Sequence, residues 1–490
     1  MHSKRLLSFI SICTSLLFSI TSFAQDQLPT DYLTKEFHKG RRDAARALMP
    51  DNSVMVVFAA PTRNYANDVD YNYHQNPDLY YFTGYKEPDA VLFLFKEKQK
   101  GSNGEEFNEL FFVRPKNEMA ERWTGKRLGE TGAKEKLGIS NVESYAKFAS
   151  YNFDLTPFAK VLLYTPNDIP APSAKDTASQ TGGLLTQLLQ LKQSTKKDAP
   201  ASNNKIDTKT YEVLTGYLRS VKTPEEMALL RKAVEISCQG QTEVMKAIRP
   251  NMSELEIQGL HEYIHKRYGA ESVGYGSIVG SGANGCILHY VENTKTKIGN
   301  DMILMDVGAE YHGYTADVTR TIPADGKFSA EERAIYQIVY DAQEAAFKTL
   351  KNGSTWSAAS TAARSTIAQG LMKLGIIKEE KEVRQYFPHG LGHHIGLDVH
   401  DRGPYDTLRK DMVITIEPGI YIPPNSKCDK KWWGIAVRIE DDALIRENDY
   451  ELLSRYAPRS IDDIEKMIAE KSVLDNYNLP PLPSATKKAF

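Results

Sequence analysis

The sequence predicts an α+β protein with two domains, of which the N-terminal one is the smaller. Its 490 residues are too many for one ordinary core, and its 41% hydrophobic and 25% charged residues are the proportions of globular proteins. Short apolar runs fill the first part of the chain, whereas capped helical patterns and glycine-punctuated strands alternate later. We therefore expect an N-terminal α/β domain over 25–200, a linker over 201–219, a C-terminal α+β domain over 220–475 and an extended tail over 476–490.

The first 24 residues have the pattern of a signal peptide. Lys4 and Arg5 precede an apolar run from Leu6 to Ile20, and small residues then lead to Ala24. Because this run is shorter than the roughly 20 apolar residues of a membrane-spanning helix, we expect cleavage rather than anchoring. The sequence therefore predicts an exported protein, periplasmic or secreted, without a membrane partner once the signal is removed.

The net charge and the cysteine content indicate whether nucleic-acid binding and disulfide bonds are to be expected. The formal net charge is −2, and it becomes −4 when Lys4 and Arg5 leave with a segment that has no acidic residue. This balance argues against nucleic acid as a partner. Cys238, Cys286 and Cys428 remain without paired spacing, so no disulfide framework is implied and their pairing stays open.

Apolar runs of strand length predict the sheet of the N-terminal domain. These runs cover 54–59, 79–82, 90–95, 110–113 and 161–164. The later stretch 192–209 is rich in lysine, serine and asparagine, a composition typical of a solvated connector.

Helix-start signals mark the beginning of the C-terminal domain. Thr223 is a predicted N-cap with Pro224 at the first helical position, and this helix should extend to about Ala247. Ser253 begins a second helix with a capping motif. The elements expected beyond it are strands over 274–313, two helices over 330–374 and strands over 412–445.

Two aspartates in consecutive strand-like segments are the first candidate residues for a catalytic or metal site. The segments are expected to fold back near Tyr311 and His312. Asp306 and Asp317 would then lie roughly opposite each other on neighbouring strands. Because carboxylates at such a distance raise each other's pKa, the pair requires either a shared proton or a metal ion.

More donors follow towards the C-terminus. Glu417 ends a strand pattern and is held extended by Pro418, while Arg438 and Glu440 share one face of a strand whose other face is apolar. Four of the 11 histidines lie within 12 residues, namely His389, His393, His394 and His400. Four carboxylates with one imidazole balance the charge of two divalent cations, and oxygen-rich ligation suits harder first-row metals such as manganese.

The sequence also resembles a known family, the Xaa-Pro aminopeptidases or aminopeptidases P, which are metallopeptidases with the "pita-bread" fold. The C-terminal motifs that carry the resemblance are NGCILHY (284–290), DVG (306–308), TADVTRT (315–321), HGLGH (389–393), LDVHD (397–401), IEPG (416–419) and RIE (438–440). Two further motifs, QNPDLYYFTG (75–84) and RPK (114–116), extend it to the N-terminal domain. The resemblance therefore covers most of the mature chain and implies a C-terminal pita-bread catalytic domain.

The resemblance assigns a role to individual residues. The metal ligands that it implies are Asp306, Asp317, His393, Glu417 and Glu440, with Asp317 and Glu440 bridging two metals. The residues that it places around the substrate are His289, His389, His400 and Arg438. Two points stay open from the residues alone. The first is which histidine is the ligand, because His394 follows His393 where the family has an apolar or aromatic residue. The second is whether His289 binds substrate, because it follows an apolar run and could instead be a core histidine.

The implied activity is removal of the residue that precedes proline at the N-terminus of a peptide, by a hydroxide bridging two divalent metals. Mn²⁺ is the expected metal, with Zn²⁺, Co²⁺ and Fe²⁺ as alternatives. Glu417 would carry the proton, and His289 and His400 would steady the tetrahedral intermediate and the peptide. The alternatives are a prolidase, which cleaves only Xaa-Pro dipeptides, and a catalytically inactive peptide-binding relative.

Trp123 is the remaining predicted substrate-binding residue. It resembles a residue that in some relatives reaches the active site of a neighbouring subunit, although a packing role is the alternative. A homo-oligomer, either a dimer or a tetramer, is therefore expected.

Overall fold

The computed structural model describes residues 31–101, 104–150, 155, 157–164 and 206–476. The described residues from Leu33 onward form one compact unit. The predicted signal peptide, most of the predicted connector and the tail after Asn476 lie outside the described residues. Within those described ranges, no helix combines the length and the apolarity needed to cross a membrane.

The N-terminal part is built around a mixed five-stranded sheet. The strands of this part are β1 Ser53–Phe58, β2 Asn64–Ala66, β3 Val69–Asp70, β4 Val91–Lys100, β5 Glu106–Val113, β6 Val142–Ser144 and β7 Lys160–Leu163. Its helices are α1 Lys35–Leu48, α2 Pro77–Thr83, α3 Glu118–Thr124 and α4 Gly129–Leu137, with a 3₁₀ turn at Tyr145–Ser150. The sheet order is β6-β5-β4-β1-β7, in which β1, β4 and β5 are antiparallel and the two edge strands run parallel to their neighbours. Both faces of the sheet are covered, because alternate residues of β1 and β4 belong to two separate apolar clusters.

The expectation of a strand at 79–82 is wrong, since this run lies in α2. The Asn76 side chain caps the helix by accepting the Asp78 backbone N–H at 3.0 Å, Pro77 occupies the first turn, and Gly84 ends the helix with φ 73°. All residues from 78 to 83 are buried, so the apolar run had no period that distinguishes a buried strand from a buried helix.

The predicted linker 201–219 contains a helix, α5 Thr208–Ser220. Asp207 caps it, and Tyr211 and Leu214 are buried in the same apolar cluster as α2. This part of the predicted linker is therefore packed against the protein, while 201–205 lie outside the described residues.

The C-terminal part alternates long helices with short sheets. Its helices are α6 Pro224–Ala247, α7 Glu254–Arg267, α8 Ala330–Phe347, α9 Trp356–Lys373 and α10 Ile461–Ile468, with 3₁₀ turns at Gly282–Cys286, Glu380–Gln385, Lys430–Trp432 and Val473–Asn476. Its strands are β8 Ser272–Val273, β9 Ile278–Ser281, β10 Met302–Val307, β11 Ala309–Tyr311, β12 Tyr314–Thr315, β13 Val318–Pro323, β14 Val413–Ile416, β15 Gly419–Ile422, β16 Ile435–Arg438, β17 Asp441–Ile445 and β18 Tyr450–Leu452. The predicted bounds of α6 and the pair of helices within 330–374 are confirmed.

The strands form sheets of two or three strands that bring distant segments together. The orders are β13-β10-β9, β12-β11-β8, β14-β17-β18 and β15-β16. Apolar side chains of α6 to α9 and of β10, β14 and β16 share one large core cluster. Since these helices share a core with the strands, the strand ends are held rigidly relative to one another.

The register of the aspartate hairpin differs from the expected one. The chain reverses at His312 and Gly313, whose φ angles are 51° and 88°, as a two-residue turn between paired strands requires. Asp306 pairs with Thr319, not with Asp317, because β13 begins at residue 318. Asp317 stands two positions before Thr319, so the aspartates are diagonal neighbours on one face rather than directly opposite.

The buried His38 predicts a pH-dependent stability. Its Nδ1–H donates to the Tyr81 carbonyl at 2.9 Å, and burial lowers the pKa of this imidazole from 6.5 to about 4. The unfolded chain therefore binds a proton more readily than the folded one between these values, and the folded state loses stability as pH falls from 6.5 to 4. The effect is roughly 3 kcal/mol.

We expect His38→Gln, which keeps a donor but cannot titrate, to lose less stability than the wild type on acidification. The measurement is the unfolding midpoint of both proteins at pH 7.5 and at pH 4.5. Parallel losses in the two proteins would contradict the assignment.

Candidate active site

A cavity of about 590 Å³ collects the residues that the sequence analysis singled out. Its lining includes Asp306, Asp317, His393, Glu417 and Glu440 together with His289, His389, His400 and Arg438. Trp123 does not belong to this lining, and its side chain on α3 is 87% exposed. The structure thus brings together nine of the ten predicted residues, from segments more than 150 positions apart in the chain.

Strand ends position the five candidate ligands. Asp306 lies on β10 and Asp317 directly precedes β13. Glu417 stands between β14 and β15, and Glu440 between β16 and β17. His393 comes from an irregular segment whose backbone N–H donates to the Thr415 hydroxyl at 3.1 Å. Each donor is therefore fixed by a backbone that is itself hydrogen-bonded to the sheets.

Asp306 is the carboxylate with the strongest partners. Its Oδ2 accepts from Arg438 Nη2 at 2.5 Å, and its Oδ1 accepts from the Tyr275 hydroxyl at 2.5 Å. Although burial alone would raise the pKa of Asp306, the Arg438 guanidinium and the Tyr275 hydroxyl hold it below its ordinary value. Asp306 therefore stays ionised.

The negative charge of Asp317 has weaker hydrogen-bond and charge partners than that of Asp306. The same Tyr275 hydroxyl is 2.6 Å from its Oδ1, and His393 Nε2 is 3.5 Å from its Oδ2. Burial and the charge of Asp306 raise the pKa of Asp317. Its backbone N–H donates to Asp442 Oδ2 at 3.2 Å, which holds the residue just ahead of β13.

The half-buried Glu417 and the buried Glu440 complete the group of carboxylates. Burial raises the pKa of Glu417 to about 7, with Asp317 adding to the rise and His393 opposing it. Burial and the charges of Asp317 and Glu417 raise the pKa of Glu440 well above its ordinary value. Glu440 also accepts from the Thr319 hydroxyl at 2.6 Å.

The structure places His393, not His394, among these carboxylates. Its Nδ1–H donates to the His394 carbonyl at 3.0 Å, so its Nε2 faces Asp317 and Glu417 at 3.5 Å each. Burial opposes protonation of His393, but Asp317 and Glu417 raise its pKa to about 9. The His394 ring is buried elsewhere and donates from Nε2 to the Pro404 carbonyl at 2.9 Å.

The donor set fits divalent cations. One ligand atom from each of Asp317, His393 and Glu440 lies within 4.8 Å of the others. Three buried carboxylates and the half-buried Glu417 share the space with only Arg438 and His393 as cationic groups of the cavity lining. The raised pKa values of Asp317, Glu417 and Glu440 show that these cations compensate the negative charge incompletely. Carboxylate oxygens and an imidazole nitrogen are ligands that divalent metals accept.

A chain of hydrogen bonds forms one wall of the cavity. Arg438 Nη1 donates to the Tyr421 hydroxyl at 2.9 Å, and that hydroxyl lies 2.8 Å from His389 Nε2. His389 donates from Nδ1 to the Gly390 carbonyl at 2.7 Å, so its Nε2 accepts from Tyr421. Burial and the nearby Arg438 lower the pKa of His389 to about 4, and its ring is therefore neutral.

The two other predicted imidazoles are exposed at the cavity. His289 is exposed, whereas its neighbour Tyr290 is buried, so the open alternative of a core histidine does not apply to residue 289. The His400 ring centroid lies 4.2 Å from that of His393. Both rings can therefore reach a molecule held above the carboxylates.

A buried charge network positions the segment that carries His400. Arg219 of α5 contacts Asp398 at 2.8 Å and Asp401 at 2.6 Å on either side of His400. The same guanidinium donates to Asp78 of α2 at 2.8 Å. Arg219 is 2% exposed, so these contacts are screened little by water.

Sequence reasoning did not find three polar residues of the site, Tyr275, Tyr421 and Asp442. Tyr275 stands between Gly274 and Gly276, a spacing typical of close backbone approach, and this was the available signal. Asp442 follows Glu440 closely, and Tyr421 follows the glutamate motif. For these two residues no pattern indicates the hydrogen-bond partner, because that partner comes from another strand.

Comparison with known proteins agrees with this geometry. The model of metallopeptidase family M24 matches residues 228–447, and the model of the aminopeptidase P N-terminal domain matches 38–161. The Xaa-Pro aminopeptidase of Escherichia coli (strain K12) is 34% identical over 446 residues, which cover 89% of this chain and 97% of that protein. The chain belongs to the aminopeptidase P family of M24 metallopeptidases.

Other aminopeptidases P and related peptidases are similar over comparable lengths. A structure of E. coli aminopeptidase P with the inhibitor Pro-Leu has a TM-score of 0.76 at 33% identity and covers 89% of this chain and 98% of that one. Proline aminopeptidase P II from Yersinia pestis has a TM-score of 0.77 at 33% identity, covering 89% and 100%. The mitochondrial intermediate cleaving peptidase 55 of Arabidopsis thaliana is 31% identical and covers 88% and 83%.

These findings confirm the family resemblance and the fold class predicted from the sequence, a pita-bread catalytic domain with a smaller N-terminal α/β domain. Family M24 consists of metallopeptidases, so this aminopeptidase P family member uses divalent metal ions. The residues present would hold them through Asp306, Asp317, His393, Glu417 and Glu440.

Tyr275→Phe tests the hydroxyl that contacts both aspartates. We expect metal affinity to fall by about 10- to 100-fold, because groups that orient ligating carboxylates contribute on this scale. The measurement is a chelator competition titration of the purified protein. Tyr336→Phe is the matched control, since that buried hydroxyl donates to the Arg459 carbonyl, outside the cavity lining. An unchanged affinity in Tyr275→Phe, or an equal loss in both variants, would contradict the role of Tyr275.

Proposed function

We propose that this aminopeptidase P family member is a metal-dependent exopeptidase that hydrolyses the N-terminal Xaa-Pro bond of peptides. The observation that carries the proposal is one cavity that holds a complete set of carboxylate and imidazole donors beside exposed histidines. Relatives at 34% identity that this chain covers almost fully are named Xaa-Pro aminopeptidases. The E. coli structure with Pro-Leu also favours it, because a dipeptide that begins with proline is what remains after cleavage before proline.

Two divalent cations, when bound, supply Lewis acidity that polarises the scissile carbonyl and lowers the pKa of a water molecule. The side chains of the protein bind the cations, orient the substrate and transfer the proton. Asp317 and Glu440 would hold the cations together with His393, whose ligand atom lies within 4.8 Å of theirs. Arg438 and Tyr275 keep Asp306 ionised and oriented.

Glu417 is the proton carrier of the proposed reaction. Its Oε1 lies 3.5 Å from His393 Nε2 and its Oε2 lies 3.7 Å from His389 Nδ1, and all three residues line the cavity. The carboxylate accepts a proton from the attacking water. It then returns the proton to the proline nitrogen, which leaves poorly unless it is protonated.

His289 and His400 bind the peptide from the open side of the cavity. Each ring can present an N–H to the oxygen that becomes negative in the tetrahedral intermediate. His389 is neutral because burial and Arg438 lower its pKa, and it forms one wall of the cavity with Tyr421 and Arg438. Because Arg219 holds the segment on both sides of His400, this ring is positioned before substrate arrives.

Two alternatives share this ligand set. A prolidase would cleave Xaa-Pro dipeptides but not longer peptides. An inactive peptide-binding relative would lack a ligand, whereas every predicted ligand position holds a donor in this chain.

We expect purified protein loaded with Mn²⁺ to release arginine from Arg-Pro-Pro and to leave Arg-Ala-Pro intact. Glu417→Gln should lower the rate by on the order of 10³-fold, since it removes the proton carrier. The measurement is free arginine by chromatography, with and without a chelator, and the chelator should abolish release. The exposed Glu447→Gln is the matched control and should retain full activity. Turnover of Arg-Pro with none of Arg-Pro-Pro would favour the prolidase, and full activity of Glu417→Gln would overturn the proton-carrier role.

We further propose that the native metal is manganese, that the protein is exported and that it forms a homo-oligomer. The oxygen-rich donor set supports manganese. The basic, apolar and small-residue pattern of 1–24 supports export. The helix α3 supports an oligomer, because Met119 and Trp123 are 75% and 87% exposed and none of its residues is buried in its own chain.

These three proposals can be checked on protein purified from its own cells without a tag. The N-terminal sequence should begin at Gln25, metal analysis should find manganese, and light scattering should give a mass of two or four mature chains. Trp123→Ala should lower activity on Arg-Pro-Pro if this ring reaches a neighbouring subunit's cavity. An intact N-terminus, another metal or a monomeric mass would each overturn the corresponding proposal.

A further inference from the structure

Two buried histidines lie side by side on α7, away from the catalytic cavity. His261 and His265 have the H-E-x-x-H spacing, which places both rings on one face of a helix. They are 0% and 1% exposed, and neither lines the cavity of the carboxylates. Their ring centroids are 6.2 Å apart. The proposed peptidase reaction uses neither residue.

Most of the ring nitrogens of this pair have no hydrogen-bond partner. Within the described part of the chain, none is found for His261 Nδ1 or for either nitrogen of His265. The one contact made is from His261 Nε2–H to the Met305 sulfur at 3.5 Å. Since a sulfur can only accept here, Nδ1 of His261 carries the free lone pair. Unpartnered polar groups at such depth are rare because desolvation is costly, so this pair requires an explanation.

Gly240 keeps open the space that these nitrogens face. A β-carbon placed on Gly240 would lie 2.9 Å from Nε2 of His265 and 3.2 Å from Nδ1 of His261. Both nitrogens therefore point at one place. Glycine in the interior of a helix lowers stability relative to alanine, yet Gly240 lies well inside α6. A side chain at residue 240 would occupy the space next to both nitrogens.

We propose that His261 Nδ1 and His265 Nε2 bind a monovalent copper ion. Both donors are neutral, and both side chains are buried. A divalent ion would keep an unbalanced charge in this interior, whereas Cu⁺ carries one charge and prefers soft or imidazole ligands. The nearest acid in the sequence, Glu262, is already engaged by Gln258 at 2.8 Å and Ser277 at 3.0 Å.

The copper site is separate from the catalytic one. Met305 and Asp306 are consecutive on β10, so their side chains point to opposite faces of the strand. Asp306 faces the cavity, while Met305 faces α7 and belongs to the apolar core. Occupancy of one site therefore leaves the ligands of the other unchanged.

Two variants test the site in complementary ways. Gly240→Ala keeps both histidines but fills the space between them with a methyl group, and His265→Phe removes one ligand while preserving an apolar ring. Both variants retain Cys238, Cys286 and Cys428, so copper bound by thiols is the same in all three proteins. Neither variant changes a residue placed in the peptidase site, so circular dichroism and peptidase activity can report that the fold is intact.

The full-length protein and both variants are produced in copper-supplemented medium, so that the chain folds around the ion. They are then dialysed anaerobically against bicinchoninate, which competes for Cu⁺. The wild type should retain one equivalent of copper more than either variant, and X-ray absorption of that copper should show imidazole nitrogen ligands. Equal copper in the three proteins, or copper bound through thiolate sulfur alone, would overturn the proposal. Retention of zinc instead of copper, lost in both variants, would overturn the assignment of the metal.

Discussion

Mutual repulsion among four carboxylates in one cavity is the constraint on which the site depends. Asp306 alone receives full compensation, from Arg438 at 2.5 Å and from the Tyr275 hydroxyl at 2.5 Å. Asp317, Glu417 and Glu440 all have raised pKa values, with burial as the largest cause. A protein interior holds such a group when bound protons or cations reduce the repulsion. The short sheets of the C-terminal part keep these carboxylates close together despite that repulsion.

The scaffold meets this constraint by rigid placement of strand ends. β10 and β13 provide the aspartates, while the ends of β14 and β16 provide the glutamates. Helices α6 to α9 pack their apolar sides against these strands in one core. The Thr319 hydroxyl then orients the Glu440 carboxylate, and the Thr415 hydroxyl holds the backbone N–H of His393. Tight packing and these hydrogen bonds together hold the ligand side chains in one arrangement.

The carboxylate ligands were predictable from sequence because an acidic residue at the end of an apolar strand indicates a metal ligand or a catalytic group. The register was not, since pairing of Asp306 with Thr319 depends on a turn at His312 whose length the sequence allows to vary by a residue. The apolar run at 79–82 has no period and became a helix through its caps. Tyr275 was missed because the partner of a hydroxyl lies across the sheet, where local pattern carries no information.

Arg219 contacts acids from both parts of the chain, and this contact couples the N-terminal part to the cavity. Arg219 joins Asp78 of α2 to Asp401 beside His400 at the rim of the cavity. A peptidase half encoded alone would keep this cation but lose an aspartate that neutralises it in a dry interior. Separation of the two parts would therefore leave Arg219 with one acid fewer and weaken its hold on the segment that carries His400.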